Sequence, residues 1–310
     1  MDFTFLHCAD LHLGSPLLGL SLKDEGIAKR FAEASRAAFS DLVTRAIEER
    51  VAFVVISGDV YDGEWKDAAI GLFFARQLSR LHREAIPVFI IHGNHDAKNV
   101  VTREITLPDN VTTFPTRRAK TQKIEALRVA IHGRSFLERE ETENWAPSYP
   151  EPLAGYFNIG MLHTSCDGKP GHASYAPCSS GDLVARGYHY WALGHVHQFE
   201  VLHEFPHIVY PGNLQGRSIR ECGPKGAVLV DVEDGRVREL RRVVSDHARW
   251  AEVTVDAGAH DSKEALLRAV AQAFAPVARE AEGRLVAARL RVTGATLLHR
   301  MLLADQDAFA

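Results

Sequence analysis

Positive charge is not in excess in this chain. Its 36 Lys and Arg are outnumbered by 40 Asp and Glu, for a net charge of −4. The whole-molecule basic field that marks many nucleic-acid binders is therefore missing. Any nucleic-acid contact has to be a local patch or be completed by a partner. Cysteine is scarce: Cys8, Cys166, Cys178 and Cys222 are the only four, and no two have CxxC spacing. That spacing excludes a zinc knuckle or a thioredoxin-type motif. The sequence predicts four reduced, structural thiols, as is usual in the cytosol. Long apolar runs are absent too, so no transmembrane helix and no membrane partner is expected. The opening Met1-Asp2-Phe3-Thr4-Phe5-Leu6 lacks a basic stretch and a long apolar one, and reads as a strand, not a signal peptide. These absences predict a cytoplasmic protein.

What is present is the composition of a globular protein, with 46% hydrophobic and 25% charged residues among 310. Apolar runs at 3–9, 51–56 and 87–91 read as buried strands. Between them, 24–50 and 66–83 carry apolar residues at helical spacing, such as Ile70, Phe73, Phe74, Leu78 and Leu81. This β-α-β-α-β order calls for a layered α/β fold. From 111 onward short strands follow with little helix between them, at 111–114, 120–124, 127–132, 158–162, 188–193, 207–210 and 227–232. Two sheets packed face to face, with helices outside, accommodate both patterns. The acidic, proline-containing stretch 138–152 reads as an exposed loop. After about residue 245 a strand, an alanine-rich helix, a second strand and the start of another helix form a small β-α-β cap. The expected domains are thus 1–245 and 246–310.

The densest signal is five polar pieces at strand ends. They are Asp10-Leu11-His12, Gly58-Asp59-Val60-Tyr61-Asp62, Gly93-Asn94-His95-Asp96, His163 and Gly194-His195-Val196-His197. Strand alternation would put the two side chains of Asp10-x-His12, and of His195-x-His197, on one face. Mixed oxygen and nitrogen donors suit hard-to-borderline divalent ions. Asp59 follows a glycine that permits a sharp turn, so its carboxylate can lie between two ions, and Asn94 adds a neutral oxygen. Two ions about 3.5–4 Å apart can clamp a phosphate and activate a bridging water, whose hydroxide attacks phosphorus in line. His95 is the candidate proton donor to the leaving alkoxide, with Asp96 as the acid that orients it. Asp62 reads as a hydrogen-bonder, not a ligand. Each piece alone has a bland reading: DxH is common, and GHVH can be a turn with two exposed histidines. His7 and His132, inside strands, read as hydrogen-bonded core histidines.

In order and wording these motifs resemble the calcineurin-like metallophosphoesterase superfamily, over roughly residues 1–245. Residues 7–15 resemble the opening of the SbcD-type DNA repair exonucleases. Tyr210-Pro211-Gly212-Asn213, Arg220-Glu221 and Lys225-Gly226 resemble the segment after their last metal histidines. The stretches 190–197 and 212–217 are similar to the YhaO-like branch. The resemblance implies a four-layer α-β-β-α sandwich and two ions, with Mn²⁺ first choice. Asp10, His12, Asp59 and His197 would hold one ion; Asp59, Asn94, His163 and His195 would hold the other. It further implies a nuclease acting on DNA, an SMC-like ATPase partner docked by later helices, and allows a homodimer. Asn213 replaces the serine of many relatives, and the chain stops at Ala310, before the docking helices; a minimal cap or a truncated chain is the expectation. Arg103, Arg134, Arg217 and Arg220 are the nearest candidates for phosphate contact. Two other readings stay open: hydrolysis of a small nucleotide or phosphomonoester, and a non-catalytic docking subunit.

Overall fold

A computed structural model describes residues 1–15, 25–62, 68–97, 105–168 and 175–304. The chain folds into two compact units. The first comprises Met1–Gln215 and Lys225–Asp246; the second comprises Gly216–Pro224 and His247–Ala310.

The first unit is built on two six-stranded sheets. One has β1 (Phe3–Cys8), β2 (Phe53–Ser57), β3 (Val88–Ile91) and β4 (Val111–Thr113) running parallel, flanked by β11 (Gly226–Glu233) and β12 (Arg236–Val244). β11 is antiparallel to β1, and β12 to β11. The other sheet runs β5 (Lys120–Ile124), β6 (Val129–Gly133), β7 (Phe157–His163), β8 (Tyr190–Gly194), β10 (His207–Tyr210) and β9 (Glu200–Glu204). Its central β6, β7, β8 and β10 are parallel, and β5 and β9 close the edges antiparallel.

Alternate residues of each strand go to opposite layers. Phe5, Phe53, Val55, Phe89, Val228 and Val230 of the first sheet meet Val129, Ile131, Phe157, Ile159, Met161 and Tyr190 of the second in one core. The other face of the first sheet, with Leu6, Val54, Ile56, Val88 and Leu229, is covered by α1 (Glu25–Glu48) and α2 (Ala68–Arg83). On the far face of the second sheet, Leu162, Trp191, Leu193 and Tyr210 pack under Phe136, Trp145, Tyr149 and Leu183 of α3 (Ser180–Ala185). The layers are those of a four-layer sandwich. Loops and a short capped helix do most of the covering on this second side. The stretch 138–152 is therefore only partly the exposed loop expected: its acidic start is exposed, but Trp145 and Tyr149 are buried. Tyr149 donates its hydroxyl to the Met161 carbonyl at 2.7 Å.

The sequence pattern does not predict β9, β12 or α3. Both strands lie at sheet edges, and β12 carries four arginines and a glutamate facing largely outward, which hides the alternation that identifies a half-buried strand.

In the second unit β13 (Ala248–Asp256) and β14 (Leu285–Thr293) pair in parallel along their whole length, with α4 (Lys263–Glu280) as the crossover. Val253, Val255, Leu266, Val270, Phe274 and Leu290 form its core, to which α5 (His299–Ala304) adds Leu302. Ser262 caps α4 by accepting the Ala265 N–H at 3.2 Å. The segment Gly216–Pro224 belongs here because Trp250 holds it: the indole N–H donates to the Gly216 carbonyl at 3.0 Å, and the Gly223 N–H donates to the Trp250 carbonyl at 3.3 Å. Among the described residues no helix is long and apolar enough to cross a membrane.

Candidate metal centre

All five motifs lie at the carboxyl ends of β1, β2, β3, β7 and β8, the edge at which parallel strands present their loops. The side chains of Asp10, His12, Asp59, Asn94 and His163 are buried there, and those of Asp62, His95 and His197 are partly exposed at the mouth.

Strand alternation is not what brings them together. Asp10, His12 and Asp59 have φ of 52°, 43° and 53°, and His195 has 101°. Such left-handed backbone is uncommon for residues other than glycine and is found at sites where surrounding structure holds it in place. Here the loop after β1 remains paired with the loop after β2: the N–H groups of Asp10, His12 and Leu13 donate to the carbonyls of Gly58, Asp59 and Val60, each at 3.0 Å. Gly58, at φ +92°, provides the expected turn. A Cβ on it would come within 2.5 Å of His163 Nδ1, and one on Gly93 within 2.3 Å of Asp59 Oδ1.

Among the described residues three groups of mutually close donors result: Asp10, His12 and His197; Asp10, Asp59 and His163; and His12, Asp62 and His95. His12 Nε2 and His197 Nε2 are 3.1 Å apart, and His197 Nε2 is 3.7 Å from Asp10 Oδ1. His163 Nδ1 is 2.9 Å from the Ser57 carbonyl, which can only accept, so that nitrogen carries the proton. His163 Nε2 then faces two more acceptors, Asn94 Oδ1 at 3.0 Å and Asp59 Oδ2 at 3.4 Å. Three acceptors aimed at one point need either a second proton on the ring or a cation. This donor set, with Asp59 next to both His12 and His163, fits divalent metal ions. His195 is placed differently from the other expected ligands. Its ring packs against His163 and Tyr175, each at 5.4 Å between centroids, and lies outside the three donor groups, while its N–H donates to both Asp10 oxygens at 3.2 and 3.0 Å.

The electrostatics carry the same imprint. Burial disfavours a charged His163, but Asp59 and Asp10 outweigh it and raise the ring to about 9. Burial also works to raise Asp59, yet His163, His12 and His95 hold it well below the usual carboxylate range. At Asp10 burial prevails over His197 and His163 and pushes the carboxyl up to about 6. Without an ion, protons take up the cation's role.

Asp96 does not orient His95. Its two oxygens accept the N–H groups of Val60 at 3.1 Å, Tyr61 at 3.0 Å and Gly93 at 3.0 Å, so it ties the loops after β2 and β3 together. Burial, then the neighbouring Asp59, push its carboxyl upward. The carboxylate against the His95 ring is Asp62, whose Oδ1 lies 2.8 Å from Nδ1 and 3.5 Å from His12 Nδ1. Sequence adjacency favours Asp96. The chain turns tightly after Gly93, with the Ala97 N–H donating to the Gly93 carbonyl at 3.2 Å, and only the fold brings Asp62 across to His95. The His95 N–H donates to Asp59 Oδ1 at 2.9 Å.

Of the candidate arginines, Arg103 lies outside the described residues. Arg134 stacks its guanidinium 3.6 Å from the centre of the Trp145 ring and donates from Nε to the Thr116 carbonyl at 3.0 Å. Arg217 and Arg220 fall on the segment that belongs to the second unit. His7 and His132 are buried and bonded on both nitrogens: His7 to Tyr190 Oη and the Leu193 carbonyl, His132 to Thr121 and Asn158.

Residues 3–199 match the calcineurin-like phosphoesterase family, and residues 250–310 match the middle domain of metallophosphoesterase YhaO. The uncharacterized metallophosphoesterase YhaO of Bacillus subtilis is 36% identical over 298 residues, which are 94% of this chain and 72% of that protein. The DNA double-strand break repair protein Mre11 of Methanopyrus kandleri is 24% identical, over 76% of this chain and 52% of its own length. A dimetal phosphatase from Danio rerio is similar at 14% identity and a TM-score of 0.45, covering 78% of this chain and 97% of that one. The chain belongs to the calcineurin-like metallophosphoesterase family, in its YhaO branch.

Proposed function

We propose that this hydrolase is a metal-dependent phosphodiesterase acting on DNA, as an exonuclease and in DNA repair, at a cytoplasmic site of action. The observation that carries the reading is a donor cluster for divalent ions with the His95–Asp62 pair beside it. Asp10, His12 and His197 would hold one ion, and Asp59, Asn94 and His163 the other, with Asp59 shared and His195 near the second. Bound divalent ions, Mn²⁺ in this proposal, would polarise the phosphate and supply an activated water. The protein's own task is the leaving group. Asp62 holds the Nδ1 side of His95, so that Nε2 is the nitrogen to pass a proton to the departing oxygen. The DNA assignment is supported by the Mre11 relative, a DNA double-strand break repair protein. Arg134, Arg217 and Arg220 are the proposed phosphate contacts, and an SMC-like ATPase subunit and a second copy of the chain are proposed partners.

The net charge of −4 favours a second reading, hydrolysis of a small nucleotide or phosphomonoester. The test compares Mn²⁺-dependent degradation of an end-labelled DNA duplex and single strand with turnover of a nucleoside monophosphate, for wild type and H95A. Metal-dependent loss of DNA that collapses in H95A supports the nuclease. Turnover of the monophosphate alone selects the second reading. No turnover of either, with metal bound, points to an absent ATPase partner, and failure to bind two Mn²⁺ ions selects the non-catalytic docking subunit.

A further inference from the structure

We propose that Lys225 is a positioning residue for His197, and through it for the ion assigned to Asp10, His12 and His197. The inference rests on reading that group as a metal site. Lys225 is 3% exposed, and lysine is almost never buried so fully without a specific partner. Its Nζ donates to the backbone carbonyl of His197 at 2.9 Å. The Asn213 N–H approaches the same carbonyl more loosely, at 3.5 Å. The short bond is the charge-assisted one, and such bonds are about twice as strong as neutral ones.

His197 stands in an irregular stretch between β8 and β9, outside the strand ladders. Lys225 is itself well anchored. Its N–H donates to Asp246 Oδ2 at 3.0 Å, its carbonyl accepts the Ser245 N–H at 3.0 Å, and the next residue opens β11. The loop carrying Gly212, at φ +78°, closes over the same carbonyl: a Cβ there would lie 3.2 Å from His197 O. The residue that precedes β11 thus reaches across with its side chain to set the backbone from which the His197 ring extends toward His12 and Asp10.

Positioning and plain charge make opposite predictions. An ammonium near a cation site repels the cation, so if only its field mattered, removing it would tighten binding. If it positions His197, removing it weakens one ion. The experiment is a titration of the metal-free full chain with Mn²⁺, followed by calorimetry and by the electron paramagnetic resonance of free Mn²⁺. Wild type, K225M and K225R are compared, with metal-free thermal unfolding of each. Two binding steps are expected in wild type. In K225M one step weakens by roughly 10- to 100-fold, the worth of one charge-assisted bond, and the other stays; K225R restores the weakened step. K225Q carries the same test if K225M does not fold. Unchanged steps, a tightened step, or equal weakening of both with a lower metal-free melting temperature would overturn the proposal. Wild type that binds no ion overturns instead the reading of the metal centre beneath it.

Discussion

Metal binding should expel close to one proton at neutral pH, and that proton should come from His163. With the ring raised to about 9 by Asp59 and Asp10, it is almost wholly protonated at pH 7 in the metal-free protein. An ion can use Nε2 only after that proton leaves. Two pH units of displacement correspond to about 2.7 kcal/mol, so affinity at pH 7 should be ~100-fold weaker than above pH 9. Asp10, raised to about 6, adds a second proton as pH falls below that value. Calorimetry of Mn²⁺ binding in buffers of different ionisation enthalpy reads the number released. The expected result is about one at pH 7, more as pH falls through 6 and Asp10 takes up its proton, and close to zero well above pH 9. His163→Gln should abolish the release at pH 7. No proton released at pH 7 by the wild type would refute the geometric assignment of His163 as a ring among acceptors. The linkage has a stability counterpart of definite sign. Both groups bind protons more tightly folded than unfolded, so their contribution is lost as pH rises, through about 6 for Asp10 and about 9 for His163. Metal-free protein should therefore melt at progressively lower temperature between pH 6 and 9, and saturating metal should flatten that trend.

Three further outcomes are expected. Asp62→Asn should cut the rate on a phosphodiester with an alkoxide leaving group by on the order of 10- to 100-fold, a part of general-acid assistance, but hardly affect a p-nitrophenyl ester, whose leaving group needs no proton; equal losses on both would assign Asp62 to metal or substrate binding. Asp96→Asn leaves one amide oxygen where three N–H groups now share two carboxylate oxygens, and should lower stability by about 2–4 kcal/mol in urea unfolding; an unchanged midpoint would show that water replaces those bonds. Gly93→Ala drives a methyl into Asp59 and the His163 ring, and should abolish binding of one ion in a Mn²⁺ titration while the fold persists; retention of both ions would mean the loop has room to shift.

Much of this arrangement is legible in the chain because apolar strands stop abruptly at polar, glycine-marked pieces. Val51–Ile56 followed by Ser57-Gly58-Asp59, and Pro87–Ile91 followed by His92-Gly93-Asn94, announce both a strand end and a donor. What is not legible depends on long-range geometry. The choice between Asp62 and Asp96 as the partner of His95 is made by backbone N–H groups of Val60 and Tyr61, which take up Asp96 first. Edge strands β9 and β12 hide behind their charged outward faces. The period-two expectation for Asp10 and His12 meets a different backbone, because left-handed turns leave no periodic trace. The affiliation of Gly216–Pro224 with the second unit rests on Trp250, a contact between distant positions of the chain.

The pairing that continues from β1 and β2 into their loops has a bearing on how the molecule verifies itself. Asp10 and Asp59 are aligned by the same hydrogen-bond ladder that aligns Phe5 with Phe53 and Cys8 with Ile56. A slip of one residue between these strands would exchange core and outer faces and, in the same movement, pull the carboxylates out of alignment. A chain that closes in the wrong register can then gain nothing from metal. Where the centre holds ions, their capture would reward only the correct register of the central strands: added Mn²⁺ during refolding should enrich the correctly registered species.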